Sequence, residues 1–187
     1  HAAEEFNRRV MQEKVWGDEA TKGIEVIISN ASKHEMNQGF MDATPQSLEE
    51  QFRVHVLGAF NLIRSFLQYT CKDPGCKFVI VTSDHASNEL ARGKHAPSIG
   101  YSISESANVQ LMTQLSQMPR FDSQFNGLTT FAIHPGWFDT QMGKEVREIE
   151  GCTLDPVDQV GREMLSCIDS WSESGAFISR MGERLPF

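Results

Sequence analysis

The sequence predicts an α/β fold: a parallel sheet with crossover helices on both faces. Three observations predict it. Short runs rich in β-branched residues alternate with longer segments of three-and-four apolar spacing, in the order strand, helix, strand, helix, strand, helix, strand. The strand-like runs are continuously apolar rather than alternating, as expected when both sheet faces are covered. The chain has 187 residues, 40% of them apolar, which suits one domain with a real core and argues against disorder.

Each element has its own signal. Residues 2–15 interleave charges with Phe6, Val10 and Met11, the spacing of an amphipathic helix. IEVIIS, residues 24–29, reads as a buried strand ended by the turn-forming NAS. A polar loop, KHEMNQGFMDA, follows. Thr44 before Pro45 gives a helix N-cap and a proline at the first helical position, and Ser47 with Glu50 offers a second cap. Leu48, Phe52, Val56, Ala59, Phe60, Ile63, Phe66 and Leu67 then mark a helix over 46–69. After the turn Asp73-Pro74-Gly75, KFVIVTS (77–83) is a second strand. The loop 84–100 is long and reads as a binding loop. SISESANVQLMTQLSQM is a helix over 102–118, and LTTFAI (128–133) is a strand running into the sharp turn HPGW. A helix over 157–171 and a strand GAFIS (175–179) close the pattern.

Charge and composition exclude several classes. With 25 acidic and 17 basic side chains the net charge is −8, so phosphate backbones are repelled and nucleic acid is not an expected partner. No run of eighteen apolar residues exists, so no membrane span is expected. The first sixteen residues are polar and charged and do not read as a signal peptide; a cytoplasmic location is expected. Cys71, Cys76, Cys152 and Cys167 have no metal-ligand spacing and read as free thiols in a reducing compartment.

Several stretches taken in order resemble one family. IISNAS resembles the strand and NNAG segment of short-chain dehydrogenases/reductases. FRVHVLGAFNL resembles their F-x-x-N-x-x-G helix, FVIVTSDHAS the strand carrying the catalytic serine, and YSISESA the YxxSKxA segment. HPGWFDTQMG resembles the PGW-x-x-T-x-M segment, and SGAFISRMGERLPF the family's closing residues. The likeness spans roughly residues 24–187, with the carbonyl-reductase-like and C-factor-like branch nearest. It implies a single domain over 1–187, a partial Rossmann-like three-layer sandwich. The TGxxxGxG turn that cradles a dinucleotide pyrophosphate in the family has no counterpart here. The expectation is therefore a parallel sheet lacking the N-terminal dinucleotide-binding strands, with two βα units, on the order of 60 residues, absent. IEVIIS then becomes an apolar edge that something must cover.

The resemblance also assigns a site. The family's serine and tyrosine positions are Ser83 and Tyr101. Its asparagine position is His55, and its lysine position is Glu105. A carboxylate four residues along a helix from Tyr101 disfavours the phenolate and makes Tyr101 a proton donor. Glu105 reads either as a base or as a solvated helix charge, and His55 as an acid–base group or a satisfied core residue. Asp84 and His85 follow Ser83 and are candidate substrate contacts, as are Trp137, Phe138 and Met142; His134 reads as structural.

The leading expectation from these departures is a cofactor-free enzyme. It would perform isomerisation, dehydration or cyclisation on a small natural-product-like molecule, with Tyr101, Ser83, His55 and Glu105 as the acid–base group and no metal. The first alternative is an oxidoreductase using NADP or NAD, with its cofactor half missing from this chain. The second is a non-catalytic binding or scaffold protein. A homodimer or higher homo-oligomer is expected through the helices 46–69 and 102–118.

Overall fold

The computed structural model describes residues 23–35, 39–70, 75–92 and 99–187. The amphipathic segment expected over 2–15 and most of the Asp73-Pro74-Gly75 turn lie outside them. Four strands, β1 (Val26–Ser29), β2 (Cys76–Val81), β3 (Leu128–His134) and β4 (Ala176–Ser179), form one sheet in that order. Every pairing is parallel. The α/β class and the Rossmann-like layering expected from the alternation are what the chain adopts.

Helices cover both faces. On one face α1 (Pro45–Phe52), α2 (Gly58–Phe66) and α3 (Ile99–Gln117) bury Ala59, Ile63, Val109, Met112 and Leu115 against Ile27, Phe78, Ile80 and Phe177. On the other, α5 (Val157–Ser170) packs Cys167 and Ile168 on Val79, Phe131, Ile133 and Ile178. Neighbouring strand residues such as Val79 and Ile80 feed opposite cores, which is why the runs are continuously apolar. At the β1 edge Val26 and Ile28 are 41% and 37% exposed.

Two elements differ from the sequence reading. The segment 46–69 is not one regular helix. Thr44 caps it as expected, accepting the Ser47 N–H at 3.1 Å. Between α1 and α2, however, Arg53–Leu57 form a π turn, where the Gly58 N–H reaches back to Arg53 O. The wider turn carries His55, which is 1% exposed, and single π turns inside helices are frequent at functional sites. The second difference is a helix the apolar spacing does not predict, α4 (Gln141–Glu150). Its residues are mostly polar, so the periodic signal is weak. Its ends are marked by Thr140, which accepts the Gly143 N–H at 3.1 Å, and by Gly151 at φ +66°, a left-handed stop that favours glycine.

The parallel arrangement brings three strand ends to one side. β1 runs out into Asn30–Glu35, β2 into Thr82–His85, and β3 into Pro135–Phe138. Ligands of open parallel sheets bind at this carboxyl edge.

Candidate active site

A cavity of about 340 Å³ opens at that edge. Its walls include Ser83, His85, Tyr101, Glu105, Trp137, Phe138 and Met142, seven of the nine site residues expected from the sequence. The other two, His55 and Asp84, are buried behind the wall. Asp84 accepts the Ser83 hydroxyl at 3.1 Å, and its backbone N–H donates to His134 Nδ1 at 3.2 Å. Ser83 also caps the short 3-10 turn Asp84–Ala86, accepting the His85 N–H at 3.2 Å.

Tyr101 stands in the first turns of α3, with its hydroxyl hydrogen-bonded to Ser83 and Ser32. His34, His55 and His85 meet its ring edge-on at centroid distances of 4.6, 5.5 and 6.1 Å. Burial, reinforced by the neighbouring Glu105, holds its phenol well above the usual range, against the opposing pull of the two serine hydroxyls. The hydroxyl is a donor at neutral pH.

Glu105 lies one turn further along α3 and is 1% exposed, so it is not a solvated helix charge. Its carboxyl accepts from Thr82 Oγ1 at 2.9 Å and from Ser32 Oγ at 3.5 Å. Burial pushes its pKa from 4.5 up to about 7, although hydrogen bonds from Thr82, Asn108 and Ser32 work the other way.

His55 has both ring nitrogens engaged. The Lys33 backbone N–H donates to Nε2 at 2.9 Å, so Nε2 carries no proton and the hydrogen sits on Nδ1. Nδ1 then donates to Ser104 Oγ at 2.7 Å, and that hydroxyl donates to Gly100 O at 2.7 Å. The ring therefore ties the loop after β1 to the start of α3. Burial is the first cause that lowers its pKa, to about 4, with His34 adding to it.

The opposite wall is held by Arg180. Its guanidinium donates to Pro135 O at 2.5 Å and to Glu163 Oε2 at 2.6 Å, and it pairs with Asp155. Gly136, at φ +76°, has no room for a side chain, because a Cβ there would sit 2.3 Å from Arg180 Nη1. Gly143 packs equally close under Phe138 O, where a Cβ would lie at 2.1 Å.

Sequence reading missed several contributors, Ser32 and Thr82 among them. His34 lines the cavity, and its Nδ1 is buried with no hydrogen-bond partner. Nothing marks this histidine in a polar loop except that it follows the carboxyl end of a parallel strand. Asn30 and Thr140 also line the cavity, yet they stand out in the sequence only inside the family segments.

A profile of the short chain dehydrogenase family matches residues 8–151. The chain belongs to the short-chain dehydrogenases. Short chain dehydrogenase/reductase nsrO of Aspergillus novofumigatus is 24% identical over 117 residues, 63% of this chain and 39% of that protein. The C-signal of Myxococcus xanthus is 26% identical over 169 residues, 89% of this chain and 95% of that protein. Among solved structures, the NADPH-bound carbonyl reductase from chicken fatty liver superposes with a TM-score of 0.77 at 22% identity, covering 100% of this chain and 71% of its own. Carbonyl reductase Sniffer of D. melanogaster gives 0.81 at 18% identity, over 99% and 74%. A carbonyl reductase from Pseudomonas aeruginosa in complex with NADP gives 0.69 at 19%, over 94% and 71%. At these identities the structural likeness concerns the fold.

These findings correct the expectation that no cofactor is involved. The short-chain dehydrogenase family is named for dehydrogenation, and two of the solved neighbours of the same fold are described with NADPH or NADP bound. The cofactor-free expectation rested on the missing TGxxxGxG turn and on two substitutions, His55 and Glu105. Glu105 stands in the cavity wall and His55 behind it, and Asn30, Ser83, Tyr101, Pro135, Gly136 and Thr140 face the same cavity.

Proposed function

We propose that this short-chain dehydrogenase is the nicotinamide- and substrate-binding part of an NADP(H)-dependent carbonyl reductase, turning a small aldehyde or ketone into its alcohol. One observation carries the reading. Two mutually bonded hydroxyls, Ser83 and Tyr101, face a largely apolar cavity at the carboxyl edge of the sheet, and the phenol is kept protonated. The solved neighbours named as carbonyl reductases support it.

The cavity chemistry fits the nicotinamide end of such a cofactor. Val81, Pro135 and Trp137 offer apolar surface beside the Asn30 amide and the Thr140 hydroxyl, the mix that suits a planar ring bearing a carboxamide. Asn30, Thr140 and the Pro135–Gly136 turn would hold it. When bound, the cofactor supplies the hydride.

The chain's own residues manage the oxygen and the proton. Ser83 and Tyr101 donate hydrogen bonds to the substrate carbonyl, and Tyr101 passes its proton as the oxygen gains negative charge. With its pKa held high, Tyr101 is in the protonated form at neutral pH, the form that a carbonyl reduction needs and an alcohol oxidation does not. Ser32 bonds Tyr101, Glu105 and, at 3.0 Å, His55 Nε2, and it is the relay by which protonated Glu105 restores the phenol. His55 is a positioning residue, since both nitrogens are occupied in joining Lys33 to Ser104. Isomerisation or cyclisation has less behind it, because the paired hydroxyls Ser83 and Tyr101 are placed to donate to a carbonyl oxygen. The substrate is a small, mostly apolar carbonyl compound packed on Trp137, Phe138 and Met142. We also propose a homodimer through the exposed apolar residues Phe52, Phe60 and Ile103 on α1, α2 and α3.

The test follows NADPH oxidation with a panel of aldehydes and ketones, for the unmodified chain and Y101F. Turnover is expected, with a loss of at least about 100-fold in Y101F. No turnover together with no NADP(H) binding overturns the reading.

A further inference from the structure

The family resemblance places a cation where this cavity has Glu105, and the sign reversal extends to the whole enclosure. Among the described residues that line the cavity there is no lysine or arginine, and Glu105 carries the only carboxyl. Its ion-pair neighbour among the described residues is His55, at 3.5 Å. That ring's Nε2 is an acceptor from Lys33, so it brings no positive charge. The Lys33 ammonium is turned away, paired with Glu35 and Glu50 on the outside. Three aromatic side chains, Tyr101, Trp137 and Phe138, share the wall with His85, whose ring meets Trp137 edge-on at 6.3 Å. Aromatic faces attract organic cations, most strongly in a desolvated site. A buried carboxylate without a cationic partner is held in an unfavourable state that an entering cation relieves.

We propose that the cavity selects a planar organic cation, with Glu105 as its anionic determinant and the rings of Tyr101 and Trp137 as its faces. Two sources share this chemistry. One is the oxidised nicotinamide ring, which is positively charged where the reduced ring is neutral; for this source the proposal rests on the function proposed above. The other is a substrate with a cationic nitrogen, such as an iminium. For the first source the consequence is tighter retention of the oxidised cofactor than of the reduced one.

The preference depends on pH through Glu105, whose buried carboxyl titrates at about 7. The other ionisable groups around it are His34 on the loop after β1, His55 on the π turn, Asp84 behind Ser83, His85 beside it, His134 at the end of β3, and Tyr101 on its own helix. His34 and His55 are both biased toward the neutral form by burial, and Tyr101 toward the phenol. Glu105 is thus the cavity carboxyl that gains its negative charge between pH 6 and 8.5.

The experiment titrates the full chain by calorimetry with 1-methylnicotinamide, a cation, and with nicotinamide, its neutral counterpart, at pH 6 and 8.5. A third probe, benzyltrimethylammonium, is cationic without a nicotinamide ring. The cationic nicotinamide is expected to bind roughly tenfold more tightly than the neutral one at pH 8.5. The gap should narrow at pH 6 and vanish in E105Q. The pH series on the unmodified chain makes the same point should E105Q fail to fold. Binding of benzyltrimethylammonium equal to that of 1-methylnicotinamide assigns the preference to cationic substrates, and weaker binding assigns it to the oxidised ring. Equal affinity for the cationic and neutral nicotinamides overturns the proposal and leaves the nicotinamide site standing. Binding of benzyltrimethylammonium alone removes the nicotinamide reading and keeps the cation site. No binding by any probe removes both.

Discussion

Burial acts on Glu105 and His55 in opposite directions of charge, and it leaves both biased toward neutrality. Glu105 is raised from 4.5 to about 7, so the folded state holds its proton more tightly than the unfolded chain does. That contribution is complete below pH 4.5 and is lost as pH rises through about 7, an amount on the order of 3 kcal/mol at most. His55 is lowered from 6.5 to about 4. Its contribution is complete above pH 6.5 and is lost as pH falls toward 4. E105Q should therefore raise Tm by roughly 5 °C at pH 8 and by little at pH 4, as thermal denaturation at the two pH values would register. In turnover, carbonyl reduction should decline as pH rises through about 7, because Glu105 then lacks the proton it returns to Tyr101 through Ser32; a kcat–pH profile checks this. Ser83, Tyr101 and Glu105 were legible in the sequence because family segments fix their register. The tautomer of His55 was not legible, because it is set by the Lys33 N–H, a backbone group 22 residues away.

At the scale of elements, the wall Pro135–Phe138 owes its position to Arg180 on the far side of β3 and β4. One guanidinium joins Pro135 O, Glu163 and Asp155, and the Arg180 N–H donates to His134 O at 2.9 Å. R180M should leave two carboxylates and a carbonyl without their donor and cost about 2 kcal/mol of stability. Through the loosened wall it should raise KM for the carbonyl roughly tenfold with a smaller change in kcat, and R180K should restore only part of this because it cannot make all three contacts. Steady-state kinetics on the two variants separate this from general destabilisation. G136A should cost about 2–3 kcal/mol, since it combines a positive φ with a Cβ driven into the guanidinium; urea unfolding measures it. Neither α4 nor the π turn was visible in the pattern of apolar residues. α4 presents few of them, and the π turn is a local change in hydrogen bonding that keeps almost the same spacing as a regular helix.

For the whole molecule, the surface of α1–α3 is the notable feature. Phe52, Phe60 and Ile103 are 40%, 41% and 49% exposed, and long apolar side chains on adjacent helices are what a self-complementary interface requires. Light scattering should give twice the 21.0 kDa chain mass. F60D should shift it toward one chain mass with little change in the fold of each, since an exposed helix position tolerates the substitution. The half-exposed Val26 and Ile28 on β1 form a second apolar margin; this chain covers 71–74% of the length of the two carbonyl reductases from chicken and D. melanogaster.

The sequence by itself determined the layer order, the parallel strands and the hydroxyl pair Ser83 and Tyr101. These depend on local periodicity and on short segments whose residues lie close together in the chain. It also showed that a carboxylate replaces a cation beside Tyr101. Only the tertiary structure decided what that replacement means. Glu105 is surrounded by Ser32, Thr82 and Asn108, and His55 by Lys33 and Ser104. These groups come from separate loops and helices, and their effect on charge depends on how completely packing removes water. Burial and long-range hydrogen bonding are properties of the assembled fold, which the spacing of residues along the chain does not encode.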